Sequence, residues 1–265
     1  MHFTSDDARL YYESTGAGTP VVLLHPFPVH HEFWNEIAPK LATRYQVIVP
    51  DLRAHGRSEV GKGTAGMAKH AADLLRLLET LQIPKAVLVG VSIGGYILFE
   101  FWRQYRERVL ALVLANTRAE ADTDQGRANR LKSIADSCLY GTGPFFDAQT
   151  QNLIGGTTRR TRPDIVAKAR AMMQMMSVDG LAATQQGMAE RPDSTPTLRT
   201  INVCTLIMAG EEDTVTPIGN SQLLHQQIAG SRLQIVARGG HYAALEHPDE
   251  FGRTLRQFLD ELRSG

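Results

Sequence analysis

The chain has 265 residues, 43% of them hydrophobic and 21% charged, with 28 basic side chains against 28 acidic ones. That length suits one hydrophobic core with a modest insertion, and the balanced charge excludes the basic footprint that a nucleic-acid partner requires. The two cysteines, Cys138 and Cys204, lie far apart without metal-ligand spacing, which excludes a disulfide framework or a zinc site and points to a reducing, cytoplasmic setting. The first residues, Met1-His2-Phe3-Thr4-Ser5-Asp6-Asp7, carry two acids and no apolar run, unlike a signal peptide. No window approaches the roughly 18 uninterrupted apolar residues of a membrane span, so no membrane association is expected.

Short apolar runs alternate with longer segments of helical period, which predicts strand–helix–strand units and a largely parallel sheet. Residues 10–13 are read as an early antiparallel edge strand. Residues 20–24 form the next strand, followed by a helix over 33–42 and a strand over 46–50. The leucines at 74, 75, 77, 78 and 81 predict a helix over 67–81 that stops before Pro84. Strands follow at 86–90 and 110–115, with a helix-compatible run at 96–105 between them. Their near-continuous Val, Leu and Ile content is that of strands covered on both faces.

From about residue 118 to 199 the alternation stops, leaving polar turns and amphipathic pieces such as 165–176 and 180–189. Strand-type runs return at 203–209 and 233–237, and a helix over 251–262 closes the chain. This predicts an α/β core made of residues 1–117 and 196–265, with a helical cap of residues 118–195 inserted between adjacent strands.

The sharpest chemical signal is Gly90-Val91-Ser92-Ile93-Gly94-Gly95, set between a strand and a helical run. A serine on so tight a strand-to-helix turn needs flanking glycines, because side chains there would clash with neighbouring backbone. The turn lifts the Ser92 hydroxyl above the carboxyl end of the sheet, and the following helix aims its first N–H groups at developing negative charge. A hydroxyl is a poor nucleophile until a base takes its proton. His241 follows the last strand on the loop Arg238-Gly239-Gly240 and is the expected base. The other histidines have plainer readings: His2, His70 and His225 as surface positions, His30 and His31 near a pocket mouth, and His247 as a capping or surface residue.

A third group must fix the imidazole's tautomer and stabilise its cation. In Gly210-Glu211-Glu212-Asp213 the choice falls on Asp213, beyond the glycine turn and before Pro217, with Glu211 and Glu212 expected to face solvent. The order Ser, Asp, His results. For the oxyanion, Ile93 supplies one backbone N–H. In His25-Pro26-Phe27-Pro28 only Phe27 can supply another between the prolines, since proline has no N–H. A merely stiff turn would read the same way.

With these segments in place, and with Asp51-Leu52-Arg53-Ala54-His55-Gly56-Arg57-Ser58 and Gly239-Gly240-His241 added, the chain resembles the α/β-hydrolase family over essentially its whole length. It is most similar to the branch of 3-oxoadipate enol-lactonase-like hydrolases and small carboxylesterases. Pro26 and Ala54 stand where the family commonly has glycine, the first bearing on the oxyanion loop and the second implying a turn that tolerates a Cβ. Asp51 to Ser58 are read as scaffold, with His55 structural. Dehalogenases and epoxide hydrolases of this fold use an aspartate where Ser92 stands, so the resemblance excludes them.

The resemblance implies a serine hydrolase of carboxylesterase or lactonase type, cleaving a small-molecule ester or lactone through an acyl-serine, with neither metal nor organic cofactor. Carbon–carbon bond hydrolysis by the same triad, or a ligand-sensing role with slow turnover, remain as alternatives. Pro28, Tyr242, Met172 and Met176 are expected to border the substrate pocket, although methionines at helical spacing such as Met172, Met173, Met175, Met176 and Met188 are more often core filler. Arg159, Arg160 and Arg162 could clamp an anionic substrate or simply form a solvated loop.

Overall fold

The computed structural model describes residues 1–263. Its centre is an eight-stranded sheet made of β1 (His2–Ser5), β2 (Ala8–Thr15), β3 (Pro20–Leu24), β4 (Gln46–Pro50), β5 (Ala86–Val91), β6 (Val109–Ala115), β7 (Thr205–Gly210) and β8 (Arg232–Val236). The order across the sheet is β1-β2-β4-β3-β5-β6-β7-β8, with β1–β2 and β2–β4 antiparallel and all other neighbours parallel. Every residue of β5 and β7 is buried, as strands covered on both faces require. The predicted strand over 10–13 exists as β2, but β1 pairs outside it, so it is not the edge. The alternating burial of His2–Ser5 is too short a pattern to read from sequence.

The helices are α1 (Ala38–Leu41), α2 (Met67–Thr80), α3 (Ile93–Tyr105), α4 (Asp124–Tyr140), α5 (Gly143–Leu153), α6 (Gly156–Thr161), α7 (Pro163–Met173), α8 (Val178–Ala189), α9 (Thr195–Leu198), α10 (Ile218–Gln227), α11 (Ala243–Glu246) and α12 (Pro248–Leu262). Helix α2 buries Met67, His70, Ala71, Leu74, Leu77 and Leu78, one stripe at helical spacing. The final helix does the same with Phe251, Leu255, Phe258 and Leu259. The helix expected over 33–42 is instead a 3-10 turn, His31–Trp34, and the short α1. Pro39 cannot donate to the carbonyl of Asn35, so a continuous helix would lose that bond; in α1 the proline occupies an N-terminal position where no donor is needed. Among the described residues no helix is long and apolar enough to cross a membrane.

Helices α4 to α9 all lie between β6 and β7, where the sequence loses its strand pattern. Elsewhere the sheet places the site. The chain runs from β3 to β4 on one side and then crosses to β5 on the other, so the loops leaving β3 and β5 diverge from adjacent strand ends. Such a reversal opens a crevice at the carboxyl edge. Leu24 pairs with Gly90, Val91 with Ala115, and Gly210 with Val236, so the loops that follow these strands emerge along one rim.

Candidate active site

Ser92 stands between β5 and α3 with φ 55°, ψ −114°, a backbone conformation that a non-glycine residue adopts only under constraint. The constraint is packing. A Cβ on Gly90 would fall 2.5 Å from the Gly94 carbonyl carbon, one on Gly94 3.0 Å from the Leu24 carbonyl oxygen, and one on Gly95 2.3 Å from Thr117 Oγ1. Thr117 in turn donates to the Ser92 carbonyl oxygen at 2.8 Å, while Ser92 N–H donates to Ala115 O at 3.0 Å. The turn is thereby held from both sides, and Ser92 is 9% exposed.

On the next rim loops, His241 Nδ1 lies 2.8 Å from Asp213 Oδ2, both residues buried. Asp213 is saturated with donors. Its Oδ1 accepts the N–H groups of Val215 at 2.8 Å and Thr216 at 2.9 Å; its Oδ2 also accepts Thr216 Oγ1–H at 2.6 Å and Asn116 Nδ2–H at 2.8 Å. Burial alone would raise the pKa of this carboxyl, but the His241 charge and the bonds from His241, Thr216 and Asn116 outweigh it and hold it well below the usual carboxylate range. An acceptor so saturated fixes the proton of His241 on Nδ1 and leaves Nε2 with its lone pair. Asn116 also donates to Gly240 O at 3.2 Å, tying the residue before His241 to the same cluster.

Phe27 is buried on the loop after β3, where the Phe27–Pro28 peptide is cis and Pro28 is buried beside it. Tyr242, fully buried, donates its hydroxyl to Phe27 O at 2.9 Å and so ties this loop to the residue after His241. Among the described residues neither the Phe27 N–H nor the Ile93 N–H donates a hydrogen bond. Buried backbone donors without partners are rare, and two of them flanking the Ser92 turn can receive a negatively charged oxygen. His25 braces the loop from behind: its Nε2 accepts Leu52 N–H at 2.9 Å, so its Nδ1–H donates to Pro26 O at 3.0 Å.

Several sequence readings need correction. His70 is buried rather than superficial, on the apolar stripe of α2, where the positions 67, 70, 71 and 74 would have revealed it. Glu212 does not face open solvent; it is half-buried and accepts Thr157 N–H at 2.7 Å, whereas Glu211 is exposed and accepts Arg238 N–H at 2.8 Å. His30 and His31 are buried, and His31 bonds Asp51 Oδ1 through Nδ1 at 2.7 Å. His30, His31 and Glu32 present ligand atoms within 4.8 Å of one another. Ala54 has φ 70°, so its turn uses a left-handed conformation that glycine would fill without strain.

Met172 and Met176 are buried in the apolar cluster, while Met175 is exposed. Arg159 donates to Ile154 O at 3.0 Å, Arg160 to Thr157 Oγ1 at 3.3 Å, and Arg162 pairs with Asp164 at 2.8 Å, so the three guanidiniums are tied locally. Sequence reasoning missed Asn116, Thr117 and Thr216. Asn116 and Thr117 directly follow β6, and their position at the end of a strand adjacent to the elbow was the available signal.

Comparison with known proteins agrees with this architecture. The sequence pattern of a family described as alpha/beta hydrolase fold matches residues 19–248. A thermophilic esterase from Thermogutta terrifontis superposes with TM-score 0.95 at 33% identity, over 99% of this chain and 98% of that one. Est816, described as an N-acyl homoserine lactone degrading enzyme, superposes with TM-score 0.85 at 30% identity, over 97% of this chain and 100% of its own. A 3-oxoadipate enol-lactonase from Acinetobacter baylyi is 26% identical over 97% of this chain and 95% of its length.

Proposed function

The chain belongs to the α/β-hydrolase fold family, and from that premise we propose that it hydrolyses a small carboxylic ester or lactone through an acyl-Ser92 intermediate. The observation that carries the reading is the buried Asp213–His241 pair at 2.8 Å, set on the loops after β7 and β8 along the same rim as the Ser92 turn. The esterase and lactone-degrading activities named for the two structural relatives support the substrate class.

In the proposed reaction, Ser92 Oγ adds to the carbonyl carbon as its proton passes to His241 Nε2. The carbonyl oxygen gains a negative charge and takes the N–H groups of Ile93 and Phe27. When the carbon–oxygen bond to the leaving group breaks, His241 returns the proton to the departing alkoxide. A water molecule, deprotonated by the same imidazole, then cleaves the acyl-enzyme and restores Ser92. Asp213 keeps the imidazole's proton on Nδ1 throughout and stabilises the transient cation. No step calls on a metal or an organic cofactor.

Residues 118–195 act in this reading as a cap over the core of residues 1–117 and 196–265. Phe145 of α5 meets Phe27 with ring centroids 6.1 Å apart, so the inserted helices reach the oxyanion loop. Phe27, Pro28 and Tyr242 border the acyl site from the core, and Met172 and Met176 from α7 and the turn after it supply an adaptable apolar wall.

Labelling with a fluorophosphonate followed by turnover of p-nitrophenyl acetate and butyrate tests the proposal. The wild type is expected to be labelled at Ser92, and Ser92→Ala, which keeps the fold, to lose the label and about 1,000-fold or more of the turnover. Undiminished hydrolysis by Ser92→Ala would overturn the nucleophile.

A further inference from the structure

Glu246 closes α11 and is 3% exposed, with no Lys or Arg paired to it among the described residues. A carboxylate buried without a cation is costly, and burial raises the pKa of this one above the ordinary glutamate value. What it receives in return is a hydrogen bond from the buried Thr158 side chain of α6 and two backbone donors. Its Oε1 accepts the Gly240 N–H at 3.1 Å and its Oε2 the Gly155 N–H at 3.0 Å. Gly240 is the residue immediately before His241, and Gly155 caps the amino end of α6.

The approach between these segments is close. A Cβ on Gly240 would fall 2.1 Å from Gly155 N, and one on Gly155 would fall 3.0 Å from Gly240 N and from oxygens of both Glu246 and Glu212. On the other side of His241, Tyr242 N–H donates to Leu153 O at 3.0 Å. Both neighbours of His241 are therefore linked to the joint between α5 and α6, Tyr242 directly and Gly240 through Glu246. Glu212, the neighbour of Asp213, holds the same joint by accepting Thr157 N–H at 2.7 Å and Thr157 Oγ1–H at 2.5 Å.

We infer that Glu246 is a positioning residue for His241, its two carboxylate oxygens fastening the loop that carries the imidazole to the α5–α6 joint of the inserted helices. Asp213 sets the ring's tautomer; Glu246 sets where the backbone bearing the ring sits. Mere filling of space would need no charge, whereas two converging N–H groups need two acceptors. The inference rests on the reading of His241 as the general base.

Glu246→Gln tests it, because the amide keeps the volume but offers one acceptor and turns an N–H group against the other donor. The expected result is a fall in kcat for p-nitrophenyl butyrate of about 10- to 100-fold with KM changed less than about twofold. The low-field proton resonance of the His241–Asp213 hydrogen bond, read without substrate, is expected to broaden or move. Should that variant fail to fold, Glu212→Gln, which frees Thr157 and loosens the joint from its other side, is expected to show the same pattern with a smaller loss. Unchanged kcat and resonance, or a lowered Tm alone, would overturn the assignment. A wild type that fluorophosphonate leaves unlabelled would sink the serine mechanism, while the substrate-free resonance would still decide the role of Glu246.

Discussion

Asp213 accepts hydrogen bonds on both oxygens from Val215, Thr216, Asn116 and His241. An amide in its place has one acceptor and one donor group, and no orientation satisfies all of these partners. In Asp213→Asn the least costly adjustment is for His241 to move its proton to Nε2 and accept at Nδ1, which removes the base from the side where Ser92 needs it. The expected loss in kcat is about 1,000- to 10,000-fold with little change in KM. Steady-state kinetics beside thermal unfolding would separate this from simple destabilisation, and a loss below about tenfold would count against the triad. At this scale the sequence named Ser92, Asp213 and His241 as candidates because glycines and strand ends punctuate them, and the structure joins Asp213 to His241. Asn116 had only its place at a strand's end to mark it, and Thr216 and Glu246 had nothing, since an isolated polar residue reveals nothing of its partners until the chain folds. His70 was legible and misread, its place on the α2 stripe overruled by its polarity.

Between residue and molecule lie the inserted helices, whose two ends meet at one buried carboxylate. Asp122 accepts from Arg118 at 2.6 Å, from Arg130 of α4 at 2.5 Å and from Arg191 beyond α8 at 2.9 Å. Burial pushes its pKa up, but the arginines more than reverse this and hold it at about 2. Arg191 is itself buried, and its guanidinium lies 4.3 Å from the centroid of Tyr96 on α3, the helix that begins beside Ser92. Asp122→Ala removes the counter-ion and leaves Arg191 buried without it, a change that costs about 3 kcal/mol or more. For a chain of this size that corresponds to a fall in Tm of about 6–12 °C. Differential scanning calorimetry would measure it, and a shift under about 2 °C would show that the cluster does not hold the insertion. The sequence marked a helical stretch between two strands, because strand-type runs vanish and then return, and the helices found there run from Asp124 to Leu198. It could not show the ion cluster, whereas Pro39, inside the helix expected over 33–42, was a legible break that the apolar pattern overruled.

Across the whole molecule the parallel strands were legible one by one, but their order was not, because a sheet's neighbours are chosen by crossover packing rather than by sequence position. The same global burial gives the fold a pH dependence. His55 and His70 are enclosed, and desolvation lowers both to about 3. In the unfolded chain each returns to about 6.5, so below that value the unfolded state binds protons that the native state refuses. Stability is then lost as pH falls from about 6.5 towards 3. Asp51, held at about 2 by His31, His25 and the Arg57 N–H against its desolvation, acts in the same direction lower down, its contribution present above about 4 and lost as pH approaches 2. Glu246 has the opposite sign: its raised pKa adds stability below the unfolded value that fades as pH rises through the folded one. It opposes the histidines between those two values. The two histidines together give a slope on the order of 2 kcal/mol per pH unit between about pH 6 and 4. His25 and His30, also lowered by burial, act in the same direction, so urea unfolding at pH 7.5, 6 and 5 should show a falling midpoint, with a shallower slope in His70→Leu, which has one site fewer to protonate. A midpoint constant from pH 7.5 to 5 would mean that these imidazoles reach water in the folded state.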